Sequence, residues 1–161
     1  MAMRLIFFIC LLFFNSTEAQ KKVATNSADQ KGVVVKIIDG DTFDLLTLEK
    51  KTIRIRMYGI DCPERKQDFY KVSKDALADY IFKKEIRLIF KGKDRNKRTI
   101  ALVFYKRENI NVVMIRNGFA WHYKRYSADL SYAIAEEQAC MDKKGLWQMK
   151  NPVPPWEFRR R

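Results

Sequence analysis

The stretch from Val33 to Met57 reads VVVKIIDGDTFDLLTLEKKTIRIRM. Val33 to Ile38 is an apolar, largely β-branched run, the composition that suits a pleated and half-buried strand. Asp39-Gly40 is a dipeptide that favours the tight turn of a hairpin, and Thr42 to Leu48 supplies the return strand. After Glu49-Lys50-Lys51, the segment from Thr52 to Met57 alternates, so Ile53, Ile55 and Met57 share one face while Arg54 and Arg56 take the other. A three-stranded meander follows from this stretch alone.

Downstream the apolar period lengthens. Phe69, Val72, Ala76, Leu77, Tyr80 and Ile81 fall on one stripe, which predicts a helix between Asp68 and Lys83. Ile86 to Phe90 and Thr99 to Tyr105 read as two further strands, separated by the very basic segment 91–98. A short helix is expected over Asn111 to Asn117 with Gly118 at its end, and a last one over Asp129 to Lys144, stopping at Gly145. The expected class is α+β, mainly β: a five-stranded closed barrel of the OB-fold type with about three helices. It occupies one domain, 31–149, without internal repeats. Residues 20–30 read as a flexible polar arm, and residues 150–161 as a Pro/aromatic/Arg tail that packs along the barrel.

The first segment reads as an address label. Met3 and Arg4 precede ten apolar residues, Leu5 to Phe14, and then a polar stretch ending in Ala19. This is the pattern of a signal peptide cleaved after Ala19, and the apolar run is short of the ~20 residues that span a bilayer. The expectation is export, to the periplasm or outside the cell, with no membrane span after cleavage. In an oxidising compartment Cys62 and Cys140 either form one disulfide or stand as two unpaired small core residues.

Composition narrows the chemistry. Across 161 residues, 32 Lys+Arg against 19 Asp+Glu leave a net charge of +13, while 47% hydrophobic and 13% aromatic residues are too many for a disordered polycation. The charge therefore decorates a packed globule and points to a polyanionic partner. A single histidine, His122, excludes histidine-pair acid/base chemistry and multi-histidine metal centres, and reads as an ordinary surface or rim residue. No Cys-x-x-Cys spacing occurs, which removes zinc ribbons and thioredoxin-like redox chemistry. Hydrolysis in this chain has to run on carboxylates and arginines.

Three clusters carry such residues: 38–42 with Asp39-Gly40-Asp41, 56–64 with Arg56, Asp61, Cys62, Pro63 and Glu64, and Asp94-Arg95-Asn96-Lys97-Arg98. Each has a plain structural use, as a hairpin turn, a strand end and a solvated basic face. In combination they match what phosphodiester hydrolysis requires: a base to prepare water, positive charge for the developing phosphorane, and a hard cation to share that load. Glu64, Arg56 with Arg98, and calcium held by Asp41 and Asp61 would supply these in turn.

In order and spacing the three clusters resemble those of the staphylococcal nuclease (thermonuclease) family, over about Lys31 to Trp147. The resemblance implies that Asp41 and Asp61 bind Ca2+, and that Cys62, where the family has threonine, adds its backbone carbonyl. It also implies that Glu64 is the general base and that Arg56 and Arg98 grip the phosphate. The implied reaction breaks the 5′ phosphorus–oxygen bond of DNA or RNA and leaves 3′-phosphate ends. Where the family commonly has Asp-x-Tyr-Gly-Arg, this chain has Asn96 and Lys97, losing a base-stacking tyrosine and a glycine. Weaker binding or altered base preference is expected, with Arg95 and Lys97 as added substrate contacts. Tyr123 and Tyr126 resemble the tyrosines that line the family's nucleotide pocket, although core packing is also open to them. The expected protein is a monomeric exported nuclease acting on DNA and RNA, with no stable protein partner. The alternative is a catalytically silent nucleic-acid-binding OB-fold module, against which stands the presence of Glu64 and both arginines.

Overall fold

The computed structural model describes residues 29–160. The expected leader, 1–19, and residues 20–28 of the arm lie outside the described residues. Strand β1 (Asp29–Ile37) is long enough to serve two neighbours, pairing antiparallel with β2 (Thr42–Thr47) and with β5 (Glu85–Lys93). It begins inside the expected arm, with Asp29 opposite Ile89 and Gln30 opposite Leu88. β2 continues the meander into β3 (Thr52–Met57), and β5 pairs with β6 (Thr99–Tyr105). β6 then closes on β3 in parallel, with Ile55 opposite Thr99 and Met57 opposite Ala101. Five strands with one parallel seam make the expected closed barrel of the OB-fold type.

The alternation read from the sequence orients this wall. Ile55 and Met57 are buried in the core with Phe43, Leu45, Leu88 and Val103, while Arg54 and Arg56 take the other face of β3. The hairpin between β1 and β2 differs from the expectation, since neither Asp39 nor Gly40 has a positive φ. The chain makes a wider loop, in which the N–H groups of Ile38 and Asp39 both donate to the Thr42 carbonyl. Gly40 is needed there for close approach: a Cβ would lie 2.8 Å from the Cys62 Cβ and 2.9 Å from the Ser73 Cβ.

Helix α1 (Tyr70–Ile81) starts after Phe69 and buries Ser73, Ala76, Leu77 and Ile81. Val72, expected on that stripe, faces solvent, and the Ser73 hydroxyl donates instead to the Phe119 carbonyl at 2.6 Å. Two short strands follow the barrel pattern at its edge: β4 (Ile60–Asp61) and, after β6, β7 (Glu108–Asn109). Helix α2 (Ile110–Arg116) ends at Asn117 and Gly118, whose φ of 68° is the conformation expected of a C-terminal glycine. β8 (Trp121–His122) pairs with β4, and α3 (Leu130–Met141) begins at Asp129, whose carboxylate accepts from the Ser131 N–H. A 3-10 turn at Gly145–Gln148 and the single-turn α4 (Pro155–Phe158) complete the order. No helix among the described residues is long and apolar enough to cross a membrane.

Two expectations are corrected by this packing. Cys62 and Cys140 are both free, the first buried and the second exposed, so no disulfide joins them and only Cys62 is a core residue. His122 is 3% exposed and no rim residue, because the β4–β8 pairing turns its ring inward, where Nε2 lies 2.9 Å from the Ser127 carbonyl oxygen.

Asn111, fully buried at the start of α2, ties the helix to the barrel. Its Oδ1 accepts from the Val103 N–H at 2.9 Å and its Nδ2 donates to the Tyr58 carbonyl at 2.8 Å. Asn111→Ala strands a donor on β6 and an acceptor beyond β3, and we expect a loss of about 3 kcal/mol in urea denaturation.

Candidate active site

The wide loop at 38–41 and the turn after β3 bring acidic residues to one end of the barrel. The Met57 N–H donates to the Asp41 carbonyl at 2.9 Å, which anchors the loop to the end of β3. The Asp41 side chain then points inward: its Oδ2 accepts from the Cys62 N–H at 2.9 Å and its Oδ1 from the Thr42 hydroxyl at 3.1 Å. Asp61, on β4, is 1% exposed. Arg56 lies between the two, with Nη1 2.9 Å from Asp41 Oδ2 and Nη2 2.8 Å from Asp61 Oδ1.

A second arginine approaches from the far end of the chain. Arg159 Nη2 lies 2.8 Å from Asp61 Oδ2, and its Nη1 donates to Glu64 Oε1. The segment carrying Glu64 is also tied to the tail, because Gln67 Oε1 accepts from the Glu64 N–H at 2.9 Å while Gln67 Nε2 donates to the Val153 carbonyl. The site is thus a chain of alternating charge, Asp41–Arg56–Asp61–Arg159–Glu64.

Burial governs its proton affinities. It raises the Asp41 carboxyl above the ordinary carboxylate range against the pull of Arg56, and it raises Asp61 against the pull of Arg159 and Arg56. Asp39, half-buried beside them, is pushed up to about 6 by burial and by the neighbouring Asp41 charge. Burial works against the Arg56 cation, but Asp41 and Asp61 outweigh it and hold the guanidinium above its usual value. For both acids burial is the larger influence, and the neighbouring arginines offset it only in part.

The donor set suits a hard cation. Asp41 and Asp61 offer carboxylate oxygens, the hard donors such a cation prefers, whereas burial pushes the Cys62 thiol well up. Among the described residues no cluster of three or more His, Cys, Asp or Glu side chains could hold a metal. A cation here would take Asp41 and Asp61 with backbone and water oxygens, as hard divalent ions do.

Of the residues expected from the sequence, Asp41, Arg56, Asp61, Cys62 and Glu64 come together. Arg98 does not join them: its Nε pairs with Asp94 Oδ2 at 2.6 Å, in a groove shared with Arg54, Lys93, Asn96 and Lys97. Arg95 and Lys97 are exposed on the same loop, and Lys97 has a φ of 61°, the left-handed conformation a glycine would take. Asp94 Oδ1 accepts from the N–H groups of Asn96 and Arg98, which holds that turn. Tyr126 is 59% exposed, and Tyr123 stacks on Trp156 with centroids 5.1 Å apart and planes 4° off parallel. Sequence reasoning missed Arg159 and Gln67. Pro154-Pro155 signals a helix start, but nothing local says that the residues after it reach Asp61, 98 positions earlier.

Removing Arg56 would leave Asp41 and Asp61 buried with one compensating charge fewer. Arg56→Ala is expected to lower stability by about 3–5 kcal/mol, read as a shift of the urea midpoint.

A family model described as staphylococcal nuclease homologue matches residues 54–149, more than half of the chain. An uncharacterized endonuclease of Haemophilus influenzae is 47% identical over 127 residues, 79% of this chain and 71% of that protein. One of Escherichia coli O157:H7 is 36% identical over 135 residues, 83% of this chain and 88% of the other. A micrococcal nuclease of Shigella flexneri is 37% identical over 144 residues, with 83% of this chain and 82% of its own length covered. Joined to a closed barrel that carries alternating aspartates and arginines at one end, these matches place the chain in the staphylococcal nuclease family.

Proposed function

We propose that this hydrolytic nuclease cleaves phosphodiester bonds in DNA and RNA with low sequence specificity, depends on calcium, and leaves 3′-phosphate ends. The observation that carries this reading is the grouping of Asp41, Arg56 and Asp61 with Glu64 beside them. Arg56 has a planar guanidinium whose Nη1 and Nη2 are taken up by Asp41, the Met57 carbonyl and Asp61, and once released from the aspartates it would grip two phosphoryl oxygens at once. Glu64 is partly exposed, so one carboxylate oxygen can take a proton from an attacking water while Arg159 holds the other. Asp41, Asp61 and the Cys62 carbonyl would hold calcium, which when bound supplies Lewis-acid charge at the phosphoryl oxygens. Arg98, released from Asp94, would steady the phosphorane or the leaving oxygen from the neighbouring groove.

The relatives named endonuclease and micrococcal nuclease support phosphodiester cleavage, and the excess of basic residues supports a nucleic-acid substrate. The basic head and apolar run before Ala19 support export, to the periplasm or the medium, and we take the working unit as a monomer. A silent nucleic-acid-binding module is the second reading, favoured only by the engagement of Arg98 with Asp94.

The chain from Gln20 onward should degrade single-stranded DNA, duplex DNA and RNA with calcium and leave them intact with a calcium-selective chelator. Cleavage in the chelator would overturn the cation assignment, and intact substrate in both conditions with retained binding would establish the silent module. Glu64→Gln should slow cleavage by about 10²- to 10⁴-fold while nucleic-acid binding is unchanged. Cutting at the native rate by that variant would remove Glu64 as the base.

A further inference from the structure

The C-terminal segment reaches the carboxylates and is anchored on the way. Pro155 is buried, Trp156 stacks on Tyr123 and meets Trp121 edge-on with centroids 5.8 Å apart, and the Val153 carbonyl accepts from Gln67. Trp121, on β8, lies directly opposite Asp61 on β4. The ladder that places Asp61 therefore also places a ring against which the segment rests. Arg159 follows the single turn of α4, and its N–H donates to the Pro155 carbonyl at 3.0 Å.

The Arg159 guanidinium serves two carboxylates at once. Nη2 lies 2.8 Å from Asp61 Oδ2 and Nη1 lies 3.3 Å from Asp61 Oδ1, while Nη1 also donates to Glu64 Oε1. Asp61 is a fixed post for this grip, since its side chain is 2% exposed and Arg56 holds it as well. Glu64 has no such frame. Its side chain is 38% exposed, and it stands between β4 and α1, outside any strand or helix. Gln67 fixes the Glu64 backbone by accepting from its N–H, but among the described residues the carboxylate itself is held by Arg159. Glu64 Oε2 accepts no hydrogen bond from the described residues.

A base carried on a loop loses rate if its carboxylate swings. The accepting oxygen has to stand within about 2.6–3.2 Å of the water it deprotonates, and a misplacement of about 1 Å costs up to about 10²-fold. A guanidinium suits this task because its planar fork bridges two carboxylates in one orientation, whereas an ammonium is a single point. Arg98, paired with Asp94 in the other groove, does not reach Glu64.

We propose that Arg159 is a positioning residue of the reaction, tying Glu64 Oε1 to the fixed Asp61 carboxylate so that Oε2 is left for the attacking water. The C-terminal segment is then a working part of the active site as well as a packing element. This inference rests on the reading of Glu64 as the general base of a nuclease.

The test is a double-mutant cycle between Arg159 and Glu64 on the chain from Gln20, followed as steady-state DNA cleavage at a calcium concentration that calorimetry shows to saturate each variant. Arg159→Ala should lower kcat by about 10- to 100-fold with KM little changed, because the lost contact acts on the base and not on substrate binding. Arg159→Lys should recover part of that loss. Millimolar guanidinium should partly restore Arg159→Ala, where sodium chloride at equal ionic strength does not. In a Glu64→Gln background Arg159→Ala should cost less than about 2-fold more, since no base is left to position. Urea denaturation in chelator checks that Arg159→Ala is folded, and if it is not, Arg159→Lys and Arg159→Gln carry the same cycle. Cleavage by Arg159→Ala at the native rate or faster would overturn the inference and make Arg159 a plug over the carboxylates. Equal losses in the two backgrounds, or a raised KM at native kcat, would overturn it too. If Glu64→Gln cuts at the native rate, the base assignment and this inference fall while nuclease activity stands. If the native chain never cuts with calcium, the nuclease reading and this inference fall together.

Discussion

One guanidinium allows this barrel to keep two carboxylates inside. Asp41 comes from the loop after β1 and Asp61 from β4, both are almost fully buried, and each meets Arg56 at under 3 Å. A buried, unpaired carboxylate is too costly to remain ionised, and two in one place repel. With Arg56 between them, the loop after β1 can fold inward onto Cys62, β4 can turn back toward β8, and Glu64 is delivered to the rim. Such buried ion pairs are weak sources of stability beside well-packed apolar side chains. Their presence here is therefore not explained by stability alone.

The barrel was legible because its information is local. Alternation from Thr52 to Met57 and the apolar runs around Leu45, Leu88 and Val103 place the strands whatever they later pair with. The helix after Phe69 was legible in kind but not in face, because Ser73 can be buried once its hydroxyl finds the Phe119 carbonyl. The Asp39-Gly40 turn was misjudged for a related reason. Its dipeptide suits a tight hairpin, but the loop widens so that Asp41 can reach Arg56 and Cys62, and Gly40 serves close approach in place of an unusual φ. His122 was hidden by the same blindness to distant partners, since only pairing with β4 turns it inward.

Within the site, the residues written in compact clusters were readable and those supplied by the tail were not. Arg56, Asp61 and Glu64 sit within nine positions of one another, and their chemistry is visible in one glance at the chain. Arg159 becomes part of the site only through folding, with Gln67 and Val153 tying the tail to the segment that carries Glu64. The Asp94 loop shows the converse case, a lost glycine that the sequence flags but that the turn accommodates. The Asp94 carboxylate accepts from two backbone N–H groups and from Arg98, which stabilises a turn that Lys97 enters at a positive φ.

The alternating cluster also sets a pattern of charge in space. Asp41, Asp61 and Glu64 outnumber Arg56 and Arg159, so a small acidic island sits within a protein whose overall charge is +13. From a distance the protein is an attractive target for any polyanion, and salt weakens that attraction by shielding the surface. At the island the sign reverses, and because Asp41, Arg56 and Asp61 are buried, salt shields them far less. Encounter and commitment are therefore governed by opposite fields. A phosphate chain meets attraction at the outer lysines and arginines and a locally acidic surface at the centre.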